Sequence, residues 1–309
     1  MTSYIYFTEE QKLRAGAVDL EEFLRRRGEK LIASGREKRL ASDHSVTVRG
    51  NEWYDHALGK GGGPVSFVQT YYGMSYQEAM KLLLGEEMGQ RYSASQERRQ
   101  ERPKEFVLPT PNDDMSRVFG YLMKRRHIKK SVIAHFARVG TLYEDAEYHN
   151  CVFIGRDETG KARHAHKRST NSYGESFRVN VEGSDPKYSF HHIGSDGGLY
   201  VFEAPIDLLS FISMFPNGWR EHNYVACCGV SIQPVLKMLE RIPEQEAVYI
   251  CLDNDEAGNR ASMRMAEQLE AEGIMCVRIA PRLKDWNEDL SEQIQEQEAS
   301  VQCQKMYCR

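Results

Sequence analysis

Apolar positions recur at near-helical spacing between Glu9 and Gly28, at Leu13, Ala17, Leu20, Phe23 and Leu24, and Arg25-Arg26-Arg27-Gly28 closes the run. That pattern predicts one amphipathic helix. Val46-Thr-Val48 and Asn51-Glu-Trp53-Tyr54 are short β-type runs around the turn signal Arg49-Gly50, a hairpin by pattern. Gly59–Pro64 reads as a turn, followed by a helix from Val65 to about Tyr72 and a second that stops at Gly85. Ser75, with Glu78 three residues on, opens that second helix as a capping box. Residues 1–90 are thus expected to form a small α+β module.

The next stretch is polar and basic and ends in the proline-punctuated Leu108-Pro-Thr-Pro111, a linker over 91–112. Residues 113–195 read as a basic subdomain that includes a hairpin, Cys151–Ile154 and Ala162–Lys167 about the tight turn Asp157–Gly160. After Gly197-Gly198 apolar strands alternate with helices: Leu199–Phe202, Ile206–Met214, Tyr224–Cys228, Ile232–Arg241, Ala247–Leu252, Ala257–Glu272 and Met275–Ile279. Such alternation predicts an α/β fold, a mostly parallel sheet flanked by helices, over 196–290. The tail, 291–309, reads as a polar helix with two late cysteines.

Composition adds limits. A chain of 309 residues with 40% hydrophobic and 28% charged positions suits two or three folded modules. Its apolar runs fall far short of the roughly 18 residues a membrane span needs. The N-terminus lacks the basic start and apolar core of a secretory signal, so a cytoplasmic protein without membrane attachment is expected. Seven cysteines without a CxxC pair offer neither a disulfide framework nor a zinc site. Between Met115 and Tyr143 stand Arg117, Lys124, Arg125, Arg126, Lys129, Lys130 and Arg138 with no acidic residue. A charge run is commonly a solvated helix face, but one without compensating carboxylates points to a polyanion partner.

Candidate chemistry sits where open α/β sheets place it, just past the carboxyl ends of strands. Glu203 follows the first strand of the α/β region, Asp253 and Asp255 follow the third, and Asp207 lies one helical turn beyond Glu203. Any one of these alone reads equally well as a helix cap. Asp253-Asn-Asp255 alternates so that both carboxylates can face one way, and Gly258 lets the chain turn into the next helix. Clustered carboxylates repel unless a cation neutralises them, and hard oxygen donors without an adjacent histidine suit Mg²⁺ or Mn²⁺. His164 and His166 read as nucleic-acid contacts or surface residues, and His191-His192 point to opposite faces of a strand.

The set Phe202-Glu203-Ala-Pro-Ile-Asp207, Leu252-Asp253-Asn-Asp255-Glu-Ala-Gly258 and Lys284-Asp285-Trp-Asn287 resembles the Toprim domain of primases, topoisomerases and nucleases, and its last element resembles the primase branch. The resemblance implies that Glu203, Asp253 and Asp255 are the catalytic metal-site acids and Asp207 a further metal-site acid. Lys284, Asp285 and Asn287 would form the rim. The primase pattern has Gly after the glutamate, where this chain has Ala204-Pro205. Upstream, Phe119–Leu122, Ile133–Phe136, Cys151–Ile154 and Arg168 are similar to the basic domain that precedes Toprim in primases, and Gly183-Ser184-Asp185-x-Lys187 looks like an element of the mobile-element branch. Arg117 to Lys130, with Arg168 and Lys187, would track a strand through its phosphates, and Tyr121 or Tyr143 would stack on bases.

The N-terminal module resembles the primase zinc-binding domain around Trp53-Tyr54, Gly59–Gly62 and Ser75-x-x-Glu78, but Asp55 and Leu58 stand where that family has its second cysteine pair. Zinc is therefore not expected. The resemblance implies a primase-like protein of a plasmid, phage or conjugative element, making primers on single-stranded DNA from nucleoside triphosphates, with a helicase, relaxase or replication initiator as further partner. A Toprim nuclease or a non-catalytic DNA-binding accessory factor are the alternatives.

Overall fold

The computed structural model describes residues 7–85, 105–171, 177–242 and 246–307, so most of the expected linker lies outside the described residues. Two units, Met1–Glu101 and Arg102–Arg309, divide the chain.

In the first unit four helices, α1 (Glu9–Gly16), α2 (Leu20–Arg26), α3 (Pro64–Tyr72) and α4 (Tyr76–Leu84), accompany a sheet. Its strands are β1 (Leu31–Ser34), β2 (Glu37–Leu40), β3 (Val46–Arg49), β4 (Glu52–Asp55) and β5 (Lys60–Gly62), antiparallel and in sequential order. The single helix expected over 9–28 is two. Asp19 accepts from Glu22 N and caps α2, so a short polar side chain restarts the helix on a new axis. Leu20 and Phe23 are fully buried while Leu13 stays in solvent. The Ser75–Glu78 capping box forms as the spacing predicts.

Gly59–Pro64 is not only a turn, because Lys60–Gly62 pairs with β4. A Cβ at Gly61 would stand 2.6 Å from the Trp53 carbonyl oxygen, so this close approach excludes side chains. The loop after β4 is held by Asp55: Oδ1 accepts from Ala57 N at 2.8 Å and Leu58 N at 3.2 Å, and Oδ2 accepts from the Tyr71 hydroxyl at 2.7 Å.

The second unit opens with α5 (Ser116–Lys124) and α6 (Lys130–Arg138), then an antiparallel sheet of β6 (Leu142–Glu144), β7 (Cys151–Arg156), β8 (Ala162–Arg168) and β9 (Arg178–Asn180). The α/β region follows as β10 (His191–His192), β11 (Gly198–Phe202), α7 (Pro205–Met214), β12 (Asn223–Ala226), α8 (Gln233–Arg241), β13 (Ala247–Ile250), α9 (Glu256–Ala271), β14 (Cys276–Arg278) and α10 (Trp286–Tyr307). Its sheet runs β10-β12-β11-β13-β14, parallel except for the edge strand β10.

Alternation along β11 and β13 explains their unbroken apolar sequence. Leu199, Val201, Val248 and Ile250 face α8 and α9, while Tyr200, Phe202, Tyr249 and Cys251 face α7, α10 and the α5–α6 pair. The second face fuses the basic helices and the parallel sheet into one core. Helix α10 continues through Leu290 without a break. Among the described residues no helix is long and apolar enough to cross a membrane.

Candidate metal and phosphate site

Strands β11 and β13 are adjacent and parallel, so their carboxyl ends open on the same edge of the sheet. Glu203, Asp207, Asp253 and Asp255 from that edge line one cavity of about 240 Å³ with Lys284, Asp285 and Asn287, and Arg126 and Arg168 reach it from the basic subdomain. Ala204-Pro205 fits where the family pattern has glycine. Ala204 is in an ordinary extended conformation (φ −130°), and Pro205 takes the first position of α7, where its missing N–H has no intrahelical partner to lose.

Backbone contacts set the acids in place. Gly258 permits the chain to fold back on Asp253, since a Cβ there would stand 2.2 Å from the Asp253 carbonyl oxygen. Arg278, on β14, clamps the end of β13: Nη1 donates to the Ile250 and Leu252 carbonyls at 3.1 and 2.8 Å, and Nη2 donates to the Asp253 carbonyl at 3.0 Å. Asn254 N donates to the Lys284 carbonyl at 2.7 Å, tying the Asp253 loop to the loop before α10. Asp289 folds that second loop by accepting from Arg282 N and Leu283 N, both at 2.7 Å.

The carboxylates differ in their duties. Asp255 caps α9 through Oδ1, which accepts from Gly258 N at 2.9 Å, and its Oδ2 stands 4.0 Å from Lys284 Nζ. Asp285 caps α10 by accepting from Glu288 N at 2.8 Å. The capping role is thus real for both, and each also lines the cavity. Asp253 differs: among the described residues its buried Oδ1 has no hydrogen-bond partner. Burial, then Glu203 and the other acids, pushes the Asp253 carboxyl up to about 8. Burial and Asp253 hold Asp207 well above the usual carboxylate range, and burial raises Glu203 against the pull of Arg178.

Among the described residues no three His, Cys, Asp or Glu side chains stand close enough to ligate one ion. The donor set nevertheless fits a hard divalent cation. Repelling carboxylates spread apart, and the unpaired Asp253 Oδ1 is a buried acceptor of the kind a cation satisfies.

Asn287 is a buried bracket rather than an open rim residue. Its Oδ1 accepts from Arg126 Nη1 at 3.0 Å, and its Nδ2 donates to the Arg126 carbonyl at 2.8 Å and the Ser210 hydroxyl at 2.9 Å. The Tyr121 hydroxyl accepts from Arg126 Nε at 2.9 Å and Arg168 Nε at 3.2 Å, so this ring positions two guanidinium groups. Tyr143 donates its hydroxyl to the Pro109 carbonyl at 2.5 Å, and its half-buried ring packs against β7.

The other basic candidates do not meet in the cavity. Arg125 lines an adjoining groove of about 450 Å³ with Arg126, Asp285 and Glu288. Arg117, Lys124, Lys129, Lys130 and Lys187 are exposed outside both. Of the residues not singled out from sequence, Arg178 lines the cavity, its Nη2 3.5 Å from Glu203 Oε1, and Arg278 supports it from behind through the Asp253 carbonyl. Arg178 stands alone on an exposed strand, and only the β8–β9 pairing brings it to the acids. His166 lines the cavity as well, and both it and His164 are buried rather than surface residues, 5% and 1% exposed.

Comparison with known proteins matches residues 200–290 to the family model Toprim-like and residues 120–196 to the family model "Protein of unknown function (DUF3991)". No curated protein matches the sequence. Among solved structures, the chain is similar to the Aquifex aeolicus primase zinc-binding and RNA polymerase domains at 17% identity, covering 96% of this chain and 85% of that one, TM-score 0.41. It is also similar to the primase fragment of the bacteriophage T7 primase-helicase protein, at 16% identity over 81% and 89% of the two chains, TM-score 0.44. A DnaG primase catalytic domain bound to ssDNA is similar at 16% identity over 61% and 71%, TM-score 0.42. Glu203, Asp253, Asp255 and the loop to Asn287 all fall within the matched segment, so residues 200–290 of this chain form a Toprim-like domain.

Proposed function

We propose that this chain is a primase-type nucleotidyltransferase that acts on single-stranded DNA with nucleoside triphosphates and Mg²⁺ or Mn²⁺. The observation that carries the reading is one cavity in which the carboxylates of Glu203, Asp207, Asp253 and Asp255 share walls with Arg126, Arg168, Arg178 and Lys284. Acids alone would suit a calcium site and arginines alone an anion site. Their juxtaposition suits a phosphoryl group brought in with its cation.

Glu203, Asp253 and Asp255 would hold the cation, which when bound polarises a phosphoryl oxygen and offsets charge at the leaving group. Arg168 and Arg178 offer planar donors to phosphate oxygens, and Lys284 a point charge at the mouth. Asp207, buried beside Asp253, supports the cluster as a carboxyl that keeps its proton more tightly than an exposed one. The exposed cations Arg117, Lys124, Arg125, Lys129 and Lys130 lie on or beside α5 and α6 and would follow the template strand by its phosphates, with Lys187 as a further contact.

The test is template-dependent synthesis on single-stranded DNA with labelled nucleotides and Mg²⁺ or Mn²⁺, wild type beside Asp253→Asn. Short products that vanish in the variant support the reading. Shortening of labelled DNA without added nucleotides replaces it with a Toprim nuclease, and DNA binding with neither reaction replaces it with an accessory factor.

A further inference from the structure

His166 on β8 lies opposite Asn180 on β9, and its Nδ1 is 2.7 Å from Asn180 Oδ1. With the amide oxygen as acceptor, Nδ1 carries the proton and Nε2 presents a lone pair. His166 is 5% exposed and lines the cavity that holds Glu203, Asp253 and the two arginines of β8 and β9. Among the described residues Nε2 makes no hydrogen bond, and it is not among the polar atoms sealed from solvent, so it opens to the cavity. Burial, with Arg178 and Arg168 adding to it, lowers the ring to about 4, which keeps it neutral near pH 7.

The cavity's other polar side chains are charged except Asn287, whose amide is engaged with Arg126 and Ser210. Cations take phosphate oxygens, and carboxylates take a metal ion; neither set is a selective partner for a neutral hydroxyl. His166 Nε2 is a neutral, pre-oriented acceptor on the same face of β8 as Arg168, two residues from the Arg168–Arg178 cross-strand pair, and an acceptor so placed reads a donor O–H attached close to a phosphate. On the nucleotide-binding reading above, on which this inference rests, that donor is a sugar hydroxyl.

We propose that His166, held in its tautomer by Asn180, is a positioning residue that accepts a hydrogen bond from a ribose hydroxyl of the bound nucleotide and so favours nucleotides that carry it. The test is equilibrium binding of ATP, 2′-deoxyATP and 3′-deoxyATP to the full chain with Mg²⁺, for wild type, H166F, H166Q and N180A. Wild type is expected to favour ATP over one deoxy analogue by about five- to tenfold, the range of one neutral hydrogen bond. H166F is expected to lose that preference by weakening ATP alone, with H166Q restoring part of it and N180A in between. Asn180 is exposed, so N180A decides the matter if H166F fails to fold. A wild-type preference kept in H166F, or equal binding of all three by wild type, overturns the inference and leaves the phosphoryl-transfer reading standing. No nucleotide binding by wild type overturns both.

Discussion

The Asn287 side chain closes a two-way hydrogen bond with Arg126, accepting from its guanidinium at 3.0 Å and donating to its carbonyl at 2.8 Å. The pair joins the basic helices to the start of α10, and through Ser210 to α7. Asn287→Ala leaves the Ser210 hydroxyl and the Arg126 carbonyl short of a donor and releases the guanidinium. A loss of about 2 kcal/mol is expected in urea unfolding. Asn287→Asp keeps the acceptor for Arg126 and loses both donated bonds, so it should not restore stability; full recovery in that variant would show that the donated bonds contribute nothing.

Gly258 gives a sharper test of the acid loop. A Cβ would stand 2.2 Å from the Asp253 carbonyl oxygen, a backbone atom that cannot swing aside. Gly258→Ala is expected to cost about 1–3 kcal/mol and to displace Asp253, lowering cation affinity measured by calorimetry. Gly120, inside α5 with no atom within 4 Å of its would-be Cβ, is the control. There alanine should be neutral or stabilise by about 0.5–1 kcal/mol. Equal effects at the two positions would remove the packing argument.

Much of this was legible because the parallel strands of the α/β region left unbroken apolar runs in the sequence, and the ends of β11 and β13 are marked by the carboxylates of Glu203, Asp253 and Asp255. Glu203, Asp207, Asp253, Asp255, Asp285 and Asn287 do share one cavity. What escaped was carried by pairing rather than by pattern. Arg178 and Asn180 sit on a strand exposed along its length, so no alternation marks them, and only the register with Arg168 and His166 gives them a place. β1 and β2 escaped for the same reason, since mostly solvent-facing strands carry no burial period. The helix break before Asp19 was readable as a capping residue, but apolar spacing continuous across it concealed the change of axis.

Asp55 holds the loop after β4 through hydrogen bonds. Its carboxylate, fully buried, collects Ala57 N, Leu58 N and the Tyr71 hydroxyl. Asp55→Ala strands these donors and is expected to cost about 2–4 kcal/mol, while a zinc chelator should leave the wild-type melting curve unchanged. A chelator that lowers the melting temperature as much as the substitution does would put a metal in this loop.

His164 makes the fold acid-sensitive. It is 1% exposed, among the described residues neither ring nitrogen has a partner at hydrogen-bond distance, and burial, with His166 beside it, lowers its pKa to about 3. The unfolded chain takes up a proton near 6.5 that the folded chain refuses until about 3. Its contribution is therefore intact above pH 6.5 and is lost as pH falls, by at most about 1.4 kcal/mol per pH unit. His164→Leu should flatten the fall in stability between pH 6.5 and 4.5 by up to about 2 kcal/mol. Parallel stability–pH curves for the two proteins would show that His164 does not titrate on unfolding.

Arg125, Lys129 and Lys130 are exposed at the end of α5 and the start of α6, whereas Arg126 is committed to Asn287 and Tyr121. A solvated helix face and a strand-tracking surface make opposite predictions for the triple alanine variant. Each phosphate contact to a single strand contributes roughly 0.7 to the slope of log affinity against log salt. If all three cations meet phosphates, the slope should fall by about 2 and binding should weaken alike on unrelated sequences. Lys237, already paired with Glu158 and Glu240, is the control position and should change neither. Filter binding of a labelled oligonucleotide across a salt series measures the slope directly. An unchanged slope in the triple variant assigns these side chains to solvent and moves the template contact to Arg126, Arg168 and Arg178, which line the cavity itself.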